Sequence, residues 1–259
     1  MSKKQDLESI AAEWGRPASL LTPSAKQRAP IDSRWIGRVT LARPDEVWPS
    51  WKDRPLAPLC QLRLDQAPFV PDELSDIACI TIFMDFDEEG VAESVVEQHD
   101  EFNQEILIPN GRAWALRAYD SIDDLVETRA PKQHWPFSTK PGKWQFIERD
   151  IPTDREFRDG ALDTKIWPVE AYDARPKGIR LGGWPSINQE PLPWGPRRLP
   201  PMTFLGKPVP WERPTFDPQY MLEVTSVPEC DLSIYDAGAF FFGRGLKDRS
   251  RWCFSADSA

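Results

Sequence analysis

Proline interrupts this chain too often for long helices to dominate it. The sequence holds 27 prolines in 259 residues, and each removes a backbone N–H and crowds the preceding helical turn. Between Arg34 and Pro58 the chain is broken at Pro44, Pro49, Pro55 and Pro58, so long regular elements are not expected there. From Pro131 to Pro218 it is dense in Pro, Trp and Gly, which excludes a mainly helical stretch. A disordered linker is excluded too, because disorder is poor in aromatics. Ordered loops and short strands are expected, held by Trp packed on Pro at Trp48-Pro49, Trp135-Pro136, Trp167-Pro168, Trp184-Pro185, Pro193-Trp194 and Pro210-Trp211.

Between these stretches lie strand signals. Leu59 to Asp65 alternates apolar and polar residues with period two, the pattern of a half-buried strand. Ala78 to Phe86 is β-branched and aromatic on both faces, as in a central strand. Ala113–Tyr119, Tyr220–Val227 and Ala239–Gly243 read as further strands, the last entered through the turn Asp236-Ala237-Gly238. Helices are expected to be short. Leu7, Ile10, Ala11 and Trp14 form one apolar stripe behind the N-cap Asp6 and stop at Gly15-Arg16-Pro17, and Ser121 is read as the cap of a short helix through Ile122, Leu125 and Val126. Val91 to Ile108 suits either a helix or a strand.

The same order of parts occurs twice. Trp35-Ile36-Gly37-Arg38, Val47-Trp48-Pro49, the strand at Leu59 and the run at Ala78 form one copy. Arg180-Leu181-Gly182-Gly183, then Trp194 or Trp211, the strand at Tyr220 and Gly238–Gly243 form the other. A period this long indicates a duplicated half-domain and not a solenoid. The expected fold is therefore α+β and β-rich, with antiparallel sheets from an internally duplicated half-domain, short helices and long Pro/Trp-rich loops. Residues 1–32 read as a helix and lead-in, and 33–259 as the domain. Its halves span about 33–130 and 175–259, with the Pro/Trp-rich connection 131–218 overlapping the second.

Charge is distributed unevenly. From Leu64 to Gly111 there is no Lys or Arg, against thirteen acids: Asp65, Asp72, Glu73, Asp76, Asp85, Asp87, Glu88, Glu89, Glu93, Glu97, Asp100, Glu101 and Glu105. The net charge is -9, yet the remainder of the chain is slightly basic. Such a segment repels nucleic acid and steers basic partners toward it, or serves as a solvated, solubilising face. No apolar run is long enough for a membrane span, and Met-Ser-Lys-Lys-Gln-Asp lacks the apolar core of a signal peptide. A cytoplasmic protein with no membrane partner is expected.

Catalytic signatures are missing. His99 and His134 are the only histidines, which constrains imidazole-based metal chemistry. The chain holds no Gly-x-Ser-x-Gly elbow and no Walker loop. Cys60, Cys79, Cys230 and Cys253 form no C-x-x-C pair, and all but Cys230 lie in apolar strand-like runs, so buried free thiols are expected. Asp85-Phe86-Asp87-Glu88-Glu89-Gly90 resembles the start of a calcium loop, but position twelve is Val96, with Glu97 one place late. The reading is no metal, no cofactor and no catalytic set.

The motifs P-L-A-P-L-C-Q-L-R-L-D, D-I-A-C-I-T-I-F-M-D-F-D, I-R-L-G-G-W-P-S-I-N-Q and Y-D-A-G-A-F-F-F-G-R, in this order, resemble the YwqG-like proteins, a mainly bacterial family whose domain has no assigned function. The likeness runs from about Ser33 to Phe254. Two places depart from the family pattern: Gly37 is followed by Arg38 where a second Gly is usual, and Ile234-Tyr235-Asp236-Ala237-Gly238 stands for Trp-Gly-Asp-Ala-Gly. The resemblance implies an α+β fold with internal duplication, and brings no reaction or catalytic residues.

Three functional readings follow. The first is a non-catalytic binding protein, such as an inhibitor or immunity protein, that captures a basic, toxin-like partner through an acidic face. That face comprises Asp85, Asp87, Glu88, Glu89, Glu93, Glu97, Asp100 and Glu101. The second is a small-ligand or carbohydrate-binding protein or enzyme, using a cleft between the halves lined by Trp184, Gln189, Trp194, Arg197 and Arg198. The third is an assembly protein without a compact ligand.

Overall fold

The computed structural model describes residues 12, 15–25, 28–86, 110–151, 176–186, 203–204, 207–208, 217–234 and 238–257. All but one residue of the expected helix at Leu7–Trp14, the ambiguous segment Val91–Ile108 and most of the Asp236-Ala237-Gly238 turn lie outside them.

The described residues form sixteen strands: β1 Arg16–Pro23, β2 Trp35–Ile36, β3 Leu41–Ala42, β4 Ser50–Trp51, β5 Arg54–Pro55, β6 Ala57–Arg63, β7 Cys79–Met84, β8 Trp114–Tyr119, β9 Val126–Glu127, β10 Lys140–Asp150, β11 Ile179–Gly182, β12 Thr203–Phe204, β13 Lys207–Pro208, β14 Pro218–Thr225, β15 Ala239–Gly245 and β16 Trp252–Asp257. Ten form one sheet in the order β16-β15-β14-β11-β1-β10-β2-β6-β7-β8. Every pairing in it is antiparallel. The β-rich, antiparallel expectation therefore holds. The Pro-broken stretch at 34–58 supplies only two-residue strands and the approach to β6, as proline's missing donor requires.

The sheet curls into a barrel-like shape. Its edge strands are β8 and β16, yet Trp114 of β8 packs on Phe254 of β16 with ring centroids 5.5 Å apart, and on Phe242 of β15 at 5.7 Å. One apolar cluster fills the interior, with Leu62, Ile80, Ile82, Leu181, Leu222, Val224, Phe240, Phe242 and Phe254 among its members. Each such side chain contributes roughly 1.5–3 kcal/mol on burial. A smaller cluster, Val39, Leu56, Phe83 and Ala115, lies beside it, where Trp48 meets Phe83 edge to face and donates from Nε1 to the Leu56 carbonyl at 2.9 Å.

Several expectations need correction. The strand at Leu59 to Asp65 is not half-buried: all of β6 is buried, because its polar side chains Gln61 and Arg63 spend their donors and acceptors on surrounding loops and not on water. Its last two residues, Leu64 and Asp65, turn instead into a single 3-10 turn. Ser121 opens no helix; its Oγ accepts from the Asp123 N–H at 3.0 Å in a turn. Two strands at the centre of the sheet depart from expectation: β1 stands where only a helix stop is read, and β10 is longer than the short strands expected of its stretch. β10 lies in the stretch read as loops and short strands, and Lys140-Pro141-Gly142 opens it without an apolar rhythm. Gly142 is required there, since a Cβ would stand 2.6 Å from the Leu21 side chain of β1.

Candidate functional site

The densest polar chemistry in the described residues sits where β11 leaves the sheet. Gly182 and Gly183 both take positive φ, 73° and 69°, which turns the chain back over the sheet. A Cβ on Gly182 would stand 2.7 Å from the Phe69 ring, and one on Gly183 would run into the Asp150 carboxylate. That carboxylate occupies the space left free and accepts from the Trp184 N–H at 2.7 Å. Trp184 is 2% exposed, with the Arg16 guanidinium 3.8 Å above its ring.

Beneath this turn lies an ionic network. Arg180 of β11 faces Glu223 of β14, and its Nη1 donates to Glu223 Oε1 at 2.7 Å. Arg180 is 1% exposed and Glu223 fully buried. Ser186 completes the arrangement, donating from its N–H to Glu223 Oε2 at 2.7 Å and from Oγ to Oε1 at 2.9 Å. Arg180 Nε lies 3.9 Å from Asp150 Oδ1. Burial opposes the arginine's charge, but Glu223 and then Asp150 outweigh it and raise its pKa, so the guanidinium stays ionised. Two buried carboxylates flank a buried guanidinium and the second arginine stacks above, so charge is balanced and the group ties the Gly-Gly-Trp-Pro-Ser turn to the sheet.

A second tether, at β6, uses no charge. Gln61 of β6 accepts at Oε1 from the Thr40 and Leu41 N–H groups, at 2.9 and 3.0 Å, and donates from Nε2 to the Ser33 carbonyl at 2.6 Å. Sequence reasoning passed over Arg180, Glu223 and Asp150. The signal was a charged residue inside an apolar strand, in Ile179-Arg180-Leu181 and in Met221-Leu222-Glu223-Val224.

A second feature is the connection from β7 to β8, residues 85–113, which contains the acids expected to form a binding face. Its two ends are fastened to the barrel. The Asp85 N–H donates to the Ala113 carbonyl at 2.7 Å. Asn110 clasps the outer edge of β8, its Oδ1 accepting from the Leu116 N–H at 2.9 Å and its Nδ2 donating to the Leu116 carbonyl at 2.8 Å. The clasp occupies backbone groups that an edge strand would otherwise offer to another chain.

Of the acidic-face residues, Asp85 is placed, and it is not on a surface. It is 2% exposed and accepts from Arg54 Nη2 at 2.9 Å, so its charge is spent inside the protein. Asp87, Glu88, Glu89, Glu93, Glu97, Asp100 and Glu101 lie outside the described residues. Of the proposed cleft, Trp184 is buried beneath Arg16 and lines no open wall, while Gln189, Trp194, Arg197 and Arg198 lie outside the described residues.

Among the described residues no group of His, Cys, Asp and Glu could hold a metal ion. All four cysteines are free and buried. Burial pushes their thiols up, Cys79 to about 12 and Cys230 to about 11, with Cys60 and Cys253 raised further from reaction, so none is a ready nucleophile. No helix among the described residues is long and apolar enough to cross a membrane. No protein-family model matches the chain, and no curated protein matches it.

Proposed function

We propose that this chain is a non-catalytic binding protein, of YwqG-like type, whose acidic β7–β8 connection captures a basic protein in the manner of an inhibitor or immunity protein. The observation that carries this reading is an asymmetry between the connections of the two strand pairs at the ends of the sheet. β7 and β8 are joined by residues 85–113, whereas β15 and β16, the strands in the corresponding places, are joined by residues 246–251 alone. The longer connection is thus an addition that the sheet does not need. It holds nine acids and one basic residue, Arg112. Loops added to a rigid scaffold are where binding residues concentrate, and a field of one sign speeds capture of an oppositely charged partner.

Register supports the duplication on which this comparison rests. Trp35 faces Gln61 and Ile36 faces Cys60 across β2 and β6, as Arg180 faces Glu223 and Leu181 faces Leu222 across β11 and β14. The next ladder on each side, β6–β7 and β14–β15, slips once, between Pro58 and Cys60 in the first and between Tyr220 and Leu222 in the second. A two-residue-strand hairpin precedes the long strands in both, β4–β5 and β12–β13. Even the tether is matched, since the Leu41 N–H bonds to Gln61 and the Ser186 N–H to Glu223.

Neutralising Asp87, Glu88, Glu89 and Glu93 together as amides is expected to slow association with the basic partner about tenfold at low salt and to flatten its salt dependence. Asp85 is left unchanged in this variant because it serves Arg54. Stopped-flow association at two ionic strengths measures both effects. An unchanged rate with unchanged salt dependence would refute the acidic segment as the capture surface.

A further inference from the structure

We infer that the two halves of the chain interlock by exchanging their leading strands, and that they form a matched, tightly bound pair that does not need the peptide connection between them. The inference rests on strand order alone and stands whether or not the halves share an origin. Divided in the exposed link after Lys132, the chain gives an N-terminal half with β1 to β9 and a C-terminal half with β10 to β16, and in the run β11-β1-β10-β2 at the centre of the sheet β1 and β2 come from the first and β10 and β11 from the second. The strands therefore alternate by origin, and every ladder in this run joins one half to the other. β1, which leads the N-terminal half, pairs with β11 from Ala18↔Gly182 to Leu21↔Ile179. β10, which leads the C-terminal half, pairs with β2 at Lys140↔Ile36 and Pro141↔Trp35. Between them β1 and β10 pair along most of their lengths, from Arg16↔Asp150 to Pro23↔Gly142.

Side chains across the same division reinforce the ladders. Arg244 of β15 grips Asp76 with two nitrogens, at 2.6 and 2.8 Å, and this bond lowers the Asp76 pKa below the usual carboxylate range. Ser19 of β1 closes a reciprocal pair with the Phe69 backbone, and Phe69 in turn covers Gly182 of the other half. Trp114 of the N-terminal half packs between Phe242 and Phe254 of the C-terminal half. By contrast, the covalent link from β9 to β10 crosses an exposed stretch at Lys132, Gln133 and His134.

The test uses the full chain with a specific protease site inserted between Lys132 and Gln133, cut after folding. The uncut protein should keep the parent's near-ultraviolet circular dichroism and melting temperature, which establishes that insertion alone is harmless. After cutting, the two pieces should elute together at the intact size in native buffer, part only in denaturant, and melt in one transition that rises with protein concentration. Gly142→Val places a branched side chain against Leu21 at the β1–β10 ladder, and should raise the dissociation constant of the cut pair at least tenfold while the uncut variant remains folded. Separation of the cut parent into two species in native buffer, from an uncut protein that behaves like the parent, would overturn the inference. So would a Gly142→Val pair that holds as tightly as the cut parent.

Discussion

Replacing Arg180 with methionine is expected to destabilise the protein by about 3–5 kcal/mol, the cost of leaving buried carboxylates without their cation. Glu223 is fully buried and Asp150 nearly so, and neither can turn to water for compensation. The partner substitution separates charge from packing. Glu223→Gln in the Arg180→Met background imitates Gln61, which tethers the loop at Thr40 and Leu41 without charge. The double variant should therefore recover at least half of the loss, because the glutamine carbonyl can still accept from the Ser186 N–H. Urea unfolding of the two single variants and the double closes the cycle. A loss below about 1 kcal/mol for Arg180→Met would mean that the network adds nothing to stability.

Trp114→Ala is expected to cost a similar amount, about 3–5 kcal/mol, for a different reason. Trp114 is fully buried at the seam where the two edges of the sheet meet, and it fills the space against Phe242 and Phe254. Truncation removes the largest side chain closing the barrel and leaves a cavity between strands that no ladder joins. Phe146, which is 55% exposed on β10, is the control: its alanine variant should lie within about 0.5 kcal/mol of the parent. Equal effects at the two sites would contradict a seam held by side-chain packing.

Legibility in the sequence followed the local signal at each element. β7 and β15 were plain because Ile80, Ile82 and Phe240 to Phe242 are β-branched or aromatic residues in unbroken apolar runs. β1 and β10 were opaque because their partners, and not their composition, make them strands. Arg16-Pro17 and Lys140-Pro141-Gly142 carry residues that local rules assign to turns, and only pairing with β11 and β2 across the halves places them in the sheet. The strand exchange itself has no signature in one dimension.

The site was legible only in part. The Gly-Gly-Trp-Pro-Ser stretch stood out, and the positive φ of Gly182 and Gly183 explains the glycines. Its purpose did not stand out, because Asp150 and Glu223 reach it from strands remote in sequence. Asp85 misled for a related reason. As one acid among many it looked exposed, but it lies at the barrel end of its connection, where Arg54 claims it. Charge counts along a sequence register how many acids there are, and burial decides which of them face a partner.

Shortening the β7–β8 connection separates the proposed capture segment from the barrel that carries it. A variant in which residues 87–109 are replaced by a tight turn should keep the parent's melting behaviour, as the six-residue connection between β15 and β16 suggests. Both proteins are then used, tagged, for affinity capture from the source cells at low and moderate salt, with mass spectrometry of what is retained. One basic protein should be held in stoichiometric amount by the parent, released as salt rises, and absent from the shortened variant. Retention of the same partner by the shortened variant, or recovery of no partner by the parent, would contradict capture by this segment.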